Sequence, residues 1–77
     1  MNDTTPVYEI RLHGHMDERR ARQFAGLTMT LTPEGETLLT GPIVDQAALH
    51  GILARIRDMG MPLIEVKQVS SAPESGQ

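Results

Sequence analysis

From Val7 the chain alternates, with Tyr8, Ile10 and Leu12 on one side and Glu9, Arg11 and His13 on the other. A period of two predicts a half-buried strand. Asp17 follows Met16 and precedes Glu-Arg-Arg-Ala-Arg-Gln-Phe-Ala, a pattern in which Asp17 caps a short helix and Met16 packs on Ala21 as a hydrophobic staple. The apolar stripe of that helix is only Ala21, Phe24 and Ala25, so it extends two turns, with Gly26 in the left-handed position after its end. Leu27 to Thr32 alternates again and Thr37 to Gly41 continues the pattern beyond Pro33-Glu34-Gly35, which suits a three-residue hairpin loop with proline first and glycine in the bulge. In this register Leu31 faces Thr37 and Met29 faces Leu39 on the buried side, while Thr28, Thr30, Thr32, Leu38 and Thr40 point outward.

Asp45 next caps a longer helix in which Leu49, Ile52, Leu53, Ile56 and Met59 recur at spacings of three and four. Gly60 stops it and Pro62 prevents a restart. Leu63 to Val69 alternates once more, with Ile64 and Val66 inward and Glu65 and Lys67 outward, and forms a fourth strand. The order strand, helix, strand, strand, helix, strand predicts an α+β domain of ferredoxin-like βαββαβ type, a four-stranded antiparallel sheet in the order 4-1-3-2 with two helices on one face. A register test follows for the first and fourth strands. Glu9 faces Lys67, Arg11 faces Glu65 and Val7 faces Val69 outside, while Ile10 faces Val66 and Leu12 faces Ile64 inside.

The chain has 77 residues, room for a single core. Residues 1–6 and 70–77 are polar and read as disordered ends, leaving 7–69 as one domain. There is no apolar run of membrane-spanning length and no basic-then-apolar leader, which points to a cytoplasmic protein with no membrane partner. With no cysteine there is no disulfide, thiolate metal site or redox pair. Ten acidic against seven basic residues and only two aromatics, Tyr8 and Phe24, leave neither a phosphate-binding footprint nor a stacking surface, so nucleic acid is not an expected partner.

Candidate chemistry is sparse. His13 and His15 form an H-x-H pair that a metal could use, a weak signal, because His50 falls on the opposite side of the sheet and solvated histidines are the plainer reading. Asp45 and Gln46 at the head of the long helix resemble an anion site, but the Asp45 carboxylate occupies the positive end itself. Gly51 inside that helix suggests close backbone approach. Arg19, Arg20 and Arg22 are balanced by Asp17 and Glu18 and read as a solvated face that could also meet an acidic protein. No serine precedes Ser70, so neither a serine nor a cysteine triad can be built in the ordered region, and no paired carboxylates share a cleft.

The run Asp45-Gln46-Ala47-Ala48-Leu49-His50-Gly51, within Leu39 to Ile64, resembles a group of short, functionally uncharacterised bacterial proteins, and the likeness extends back through Tyr8-Glu-Ile-Arg and Gly14-His-Met-Asp-Glu-Arg. The resemblance implies a small bacterial cytosolic protein and no particular activity. Among ferredoxin-like families, the likeness to acylphosphatases fails because the only asparagine is Asn2, and copper-chaperone likeness fails without C-x-x-C.

A core this small calls for a supplement. The second strand is an edge with no charge, proline or bulge to discourage pairing, so a homodimer is expected that either pairs this edge or packs the adjoining outer face, through Thr28, Met29, Thr30, Leu31, Thr32, Leu38 and Thr40. The expectation is a non-catalytic module, without cofactor, that acts through self-association or a protein partner. The alternative is a small-molecule-sensing ferredoxin-like regulatory domain that binds its ligand at a dimer interface.

Overall fold

A computed structural model describes residues 5–71. Strand β1 (Pro6–His13) is followed by helix α1 (Glu18–Ala21), a 3-10 turn (Arg22–Phe24), strands β2 (Thr28–Leu31) and β3 (Glu36–Pro42), helix α2 (Gln46–Asp58) and strand β4 (Leu63–Ser71). The strands form one antiparallel sheet in the order β2-β3-β1-β4, which read from the other edge is β4-β1-β3-β2. Ile10, Leu12 and Leu39 from the sheet share one buried cluster with Phe24 of the 3-10 turn and Leu49 and Ile56 of α2. Both helical segments therefore cover the same face, and the domain is α+β.

Local chemistry explains most of the elements. The Asp17 carboxylate accepts from the Arg20 backbone N–H at 2.9 Å, and Asp45 accepts from Ala48 N–H at 2.8 Å, so each helix begins at its capping aspartate. Met16 is buried in the core cluster, and the partly buried Ala21 packs against that cluster. Gly60, at φ +78°, donates to the Arg57 carbonyl and ends α2. In the hairpin, Gly35 N–H donates to Thr32 O at 3.1 Å and Gly35 takes φ +86°, the type I turn and left-handed glycine that Pro33-Glu34-Gly35 encode. Leu31 faces Thr37 and Met29 faces Leu39, the register that follows from this loop.

The first helix is shorter than the sequence suggests. One α-turn passes into the 3-10 turn, and Gly26 is not its terminator. Ala25 lies at φ −55°, ψ 138° and Gly26 at φ +96°, with Leu27 N–H donating to Phe24 O at 3.0 Å, the geometry of a type II turn. The expected close approach at Gly51 is also absent, since a Cβ there would meet nothing within 4 Å. The tight glycine is Gly41 on β3, where a Cβ would lie 2.7 Å from the Gly26 carbonyl oxygen. Gly41 is thus what lets the type II turn settle against the sheet.

Between β1 and β4 the central pairs hold: Glu9 faces Lys67, Ile10 faces Val66 and Arg11 faces Glu65. The outer pairs do not. Register shifts between Arg11 and Leu12 and between Val7 and Tyr8 make Leu12 face Leu63 and Val7 face Ser70. Ile64 and Val69 are the extra residues of two bulges, so Ile64 is not an inward residue but remains half-exposed. β1 and β4 pair out to Pro6 and Ser71, so Pro6, Ser70 and Ser71 belong to the sheet and not to the expected disordered ends. The rest of those ends lies outside the described residues.

Candidate functional site

The face without helices carries a row of charges set by the strand register. Arg11 of β1 faces Leu38 of β3 and Glu65 of β4, and its guanidinium donates to Glu36, the residue diagonal to it across β3. It also lies 3.7 Å from Glu9 and 4.0 Å from Glu65, while Lys67 approaches Glu9 at 3.9 Å. The Arg11 guanidinium is held above its ordinary range, first by the hydrogen bond to Glu36 and then by the charges of Glu36, Glu9 and Glu65, with desolvation opposing. Three carboxylates share two cations here: the Arg11–Glu36 hydrogen bond is close, whereas the contacts of Arg11 with Glu9 and Glu65 and of Lys67 with Glu9 lie toward the outer limit of an ion pair.

The histidine pair is divided by the backbone. β1 ends at His13, Gly14 turns at φ +97°, and His15 swings to the hairpin, where its Nε2 lies 2.9 Å from Thr32 O. His50 is on α2. Among the described residues there is no group of three or more His, Cys, Asp or Glu side chains that could hold a metal. The segment between them is anchored by a residue whose role the alternation alone does not reveal. Thr37 is fully buried, and its hydroxyl donates to Gly14 O at 2.6 Å while accepting from Met16 N–H at 3.0 Å. Arg19, Arg20 and Arg22 are exposed, as a solvated face requires.

Among the described residues the sheet has two open edges, β2 and β4. On β2, Thr28, Thr30 and Leu31 are exposed and Met29 is half-buried, with Thr32, Leu38 and Thr40 partly covered beside it. These residues are contiguous, but the strand has four residues and no charged group. On β4, nine residues long, Leu63, Ile64 and Val69 are 48%, 47% and 43% exposed, among the largest apolar exposures in the described chain. Sequence alternation hides this edge, because it counts Ile64 as core and cannot register a bulge. Beside it an open cleft of about 650 Å³ runs between α2 and the start of β4, walled by Leu53, Ala54, Met61 and Leu63, with His50 and Arg57 at its rim. A smaller cleft of about 380 Å³ lies near Gln23, Leu27 and Val44.

A family model described as a domain of unknown function, DUF8691, matches residues 7–67, most of the chain and all but the outer ends of the sheet. No curated protein matches the chain, and no solved structure does. Among the described residues no helix is long and apolar enough to cross a membrane.

Proposed function

The chain belongs to this DUF8691 family, and from that premise we propose that it is a small non-catalytic bacterial module of the cytoplasm, ferredoxin-like in arrangement, which works by self-association and so presents a surface to a protein partner. The observation that carries the reading is the combination of a thin core and an unprotected edge. Eight apolar side chains are buried among the described residues, while Leu63, Ile64 and Val69 stay half-exposed along one edge strand. An apolar sheet edge of that kind is a template for another strand. The second edge, at β2, offers Thr28, Met29, Thr30 and Leu31 with Thr32, Leu38 and Thr40 beside them, uncharged and free of proline. A non-catalytic role is supported by the outer face, where Glu9, Glu36 and Glu65 are tied to Arg11 and Lys67, and by a chain without cysteine.

Sedimentation velocity of the full chain from low to high micromolar concentration tests this. The expected result is a concentration-dependent monomer–dimer equilibrium. A single monomeric species at high micromolar concentration overturns it.

The cleft between α2 and β4 favours a second reading, a small-molecule-sensing regulatory domain whose ligand lies at the interface between two copies, because the cleft is apolar, roomy and opens beside the β4 edge. A thermal-shift screen of small metabolites separates the two readings: a specific, saturable rise in melting temperature supports the sensor.

A further inference from the structure

We infer that β4 is the edge through which the chain self-associates, pairing antiparallel with β4 of a second copy about a two-fold axis that passes through Val66. This rests on the proposed self-association and names its surface. The two edges differ in what they can specify. β2 carries only threonine, methionine and leucine, so sliding it along a copy of itself changes no charge pairing and selects no register. β4 carries one acid and one base, Glu65 and Lys67, on either side of Val66.

A two-fold axis in an antiparallel pair lies perpendicular to the sheet, and each residue then faces a residue an even number of positions away, so that side chains keep to their own face. Centred on Val66, the pairing puts Glu65 opposite Lys67 of the second copy and Lys67 opposite its Glu65. It also brings the start of one strand beside the end of the other, so that the half-exposed Leu63 and Ile64 of one copy lie near Val69 of the second. Centred on Glu65 instead, two carboxylates face each other; centred on Lys67, two ammonium groups do. Like charges directly opposite are destabilising, and the strand therefore prefers one register over its neighbours.

Intramolecular contacts leave these groups available. Glu65 lies 4.0 Å from Arg11 and Lys67 lies 3.9 Å from Glu9, both at the limit of an ion pair, and both side chains are about half-exposed. The pairing would extend the row Glu36, Arg11, Glu65 of one copy into Lys67, Glu9 and Arg11 of the other, one network across the seam. Exposed ion pairs of this kind set register more than affinity. Affinity comes from main-chain hydrogen bonds and from the apolar ends. The bulges at Ile64 and Val69, which could otherwise twist the edge away, flank the regular stretch Glu65 to Gln68 and leave it intact. Because the axis is perpendicular to the sheet, both α2 helices stay on one side, each with its cleft against the start of β4.

The absence of native cysteine makes the register directly readable. Full-length Glu65→Cys and Lys67→Cys chains, each checked for unchanged far-UV circular dichroism, are oxidised separately and as a mixture. The mixture should give a covalent dimer and neither chain alone should, since only the mixed pair brings the two cysteines face to face. Self-linking of either variant alone, at an efficiency matching the mixture, overturns the register. Charge reversal provides a second readout: the Glu65→Lys and Lys67→Glu chains should each dimerise roughly tenfold more weakly than their mixture, two opposed pairs being replaced by two attractive ones. A wild-type dimer that neither cross-links at these positions nor responds to reversal, but links through Thr30→Cys, overturns β4 and leaves self-association standing through β2. A monomeric wild type overturns the proposed function itself.

Discussion

The hydroxyl of Thr37 pins the turn after β1 to β3: it donates to the Gly14 carbonyl at 2.6 Å and accepts from the Met16 N–H at 3.0 Å. Thr37 is fully buried, on β3, and Gly14 and Met16 belong to the turn that leaves β1. Gly14 N–H in turn donates to Gly35 O at 2.7 Å, so the turn is docked on the hairpin from both sides. Replacing the hydroxyl by a methyl group keeps the shape and removes the partner of a buried donor, Met16 N–H, and of a part-buried acceptor, Gly14 O.

Thr37→Val should therefore destabilise the domain by about 1–3 kcal/mol, the range for unsatisfied buried polar groups. Thr37→Ser keeps both hydrogen bonds and loses only a buried methyl group, roughly 0.8 kcal/mol. Urea unfolding of the two variants checks the order. If valine is tolerated as well as serine, the hydroxyl is not an anchor.

Gly41 and Gly51 make a second pair of opposite expectations. A Cβ at Gly41 would lie 2.7 Å from the Gly26 carbonyl oxygen, which belongs to the backbone of a hydrogen-bonded turn and cannot rotate away. At Gly51, on the exposed side of α2, a Cβ would meet nothing within 4 Å. Gly41→Ala should lower the melting temperature. Gly51→Ala should raise it, by up to about 1 kcal/mol in stability from helix propensity alone. Two thermal melts decide the matter, and equal effects of the same sign would contradict this account.

The helix caps differ in what they support. Asp45 heads a helix of thirteen residues whose Leu49 and Ile56 reach the core, whereas Asp17 heads a single α-turn with no buried residue of its own. Asp45→Ala should cost about 1 kcal/mol, within the usual 0.5–2 for a lost cap, and Asp17→Ala less. Hydrogen exchange of the amides following each cap, Ala48 and Arg20, locates the effect, since each donates to the aspartate that is removed. Faster exchange confined to Arg20 in both variants would be the wrong answer.

What could be read in advance follows a physical divide. The Pro33-Glu34-Gly35 loop, the two aspartate caps and the stop at Gly60 depend on residues within a few positions of one another, and they appear where the sequence places them. So does the alternation that pairs Ile10 with Val66 and Leu31 with Thr37. The bulges at Ile64 and Val69 have no local signal. The first adjoins the turn at Pro62, whose carbonyl accepts from His13 N–H at 2.9 Å, and the second lies where β4 runs beside the start of β1. For the same reason the Arg11–Glu36 pair is not apparent from facing residues alone, being diagonal. The half-exposed β4 edge has no local signal either, since alternation counts Ile64 as core.

Arg11 supplies the last prediction. Its guanidinium holds Glu36 directly and stands beside Glu9 and Glu65, so Arg11→Met leaves three carboxylates on one face with only Lys67 to balance them. The variant should melt at a lower temperature than the wild type, and the gap should narrow as salt rises from low to about 1 M, where the screening length falls to about 3 Å. The pH dependence has a definite sign. The guanidinium is held above its ordinary range, so its contribution is complete below the unfolded value and is lost only as the pH climbs through the still higher folded one. From neutral pH to about pH 10 the gap should therefore stay flat, because an arginine remains charged throughout that interval. Melting curves of both proteins across salt and pH test this; a gap that grows with salt would show that Arg11 acts through its hydrocarbon stem and not through its charge.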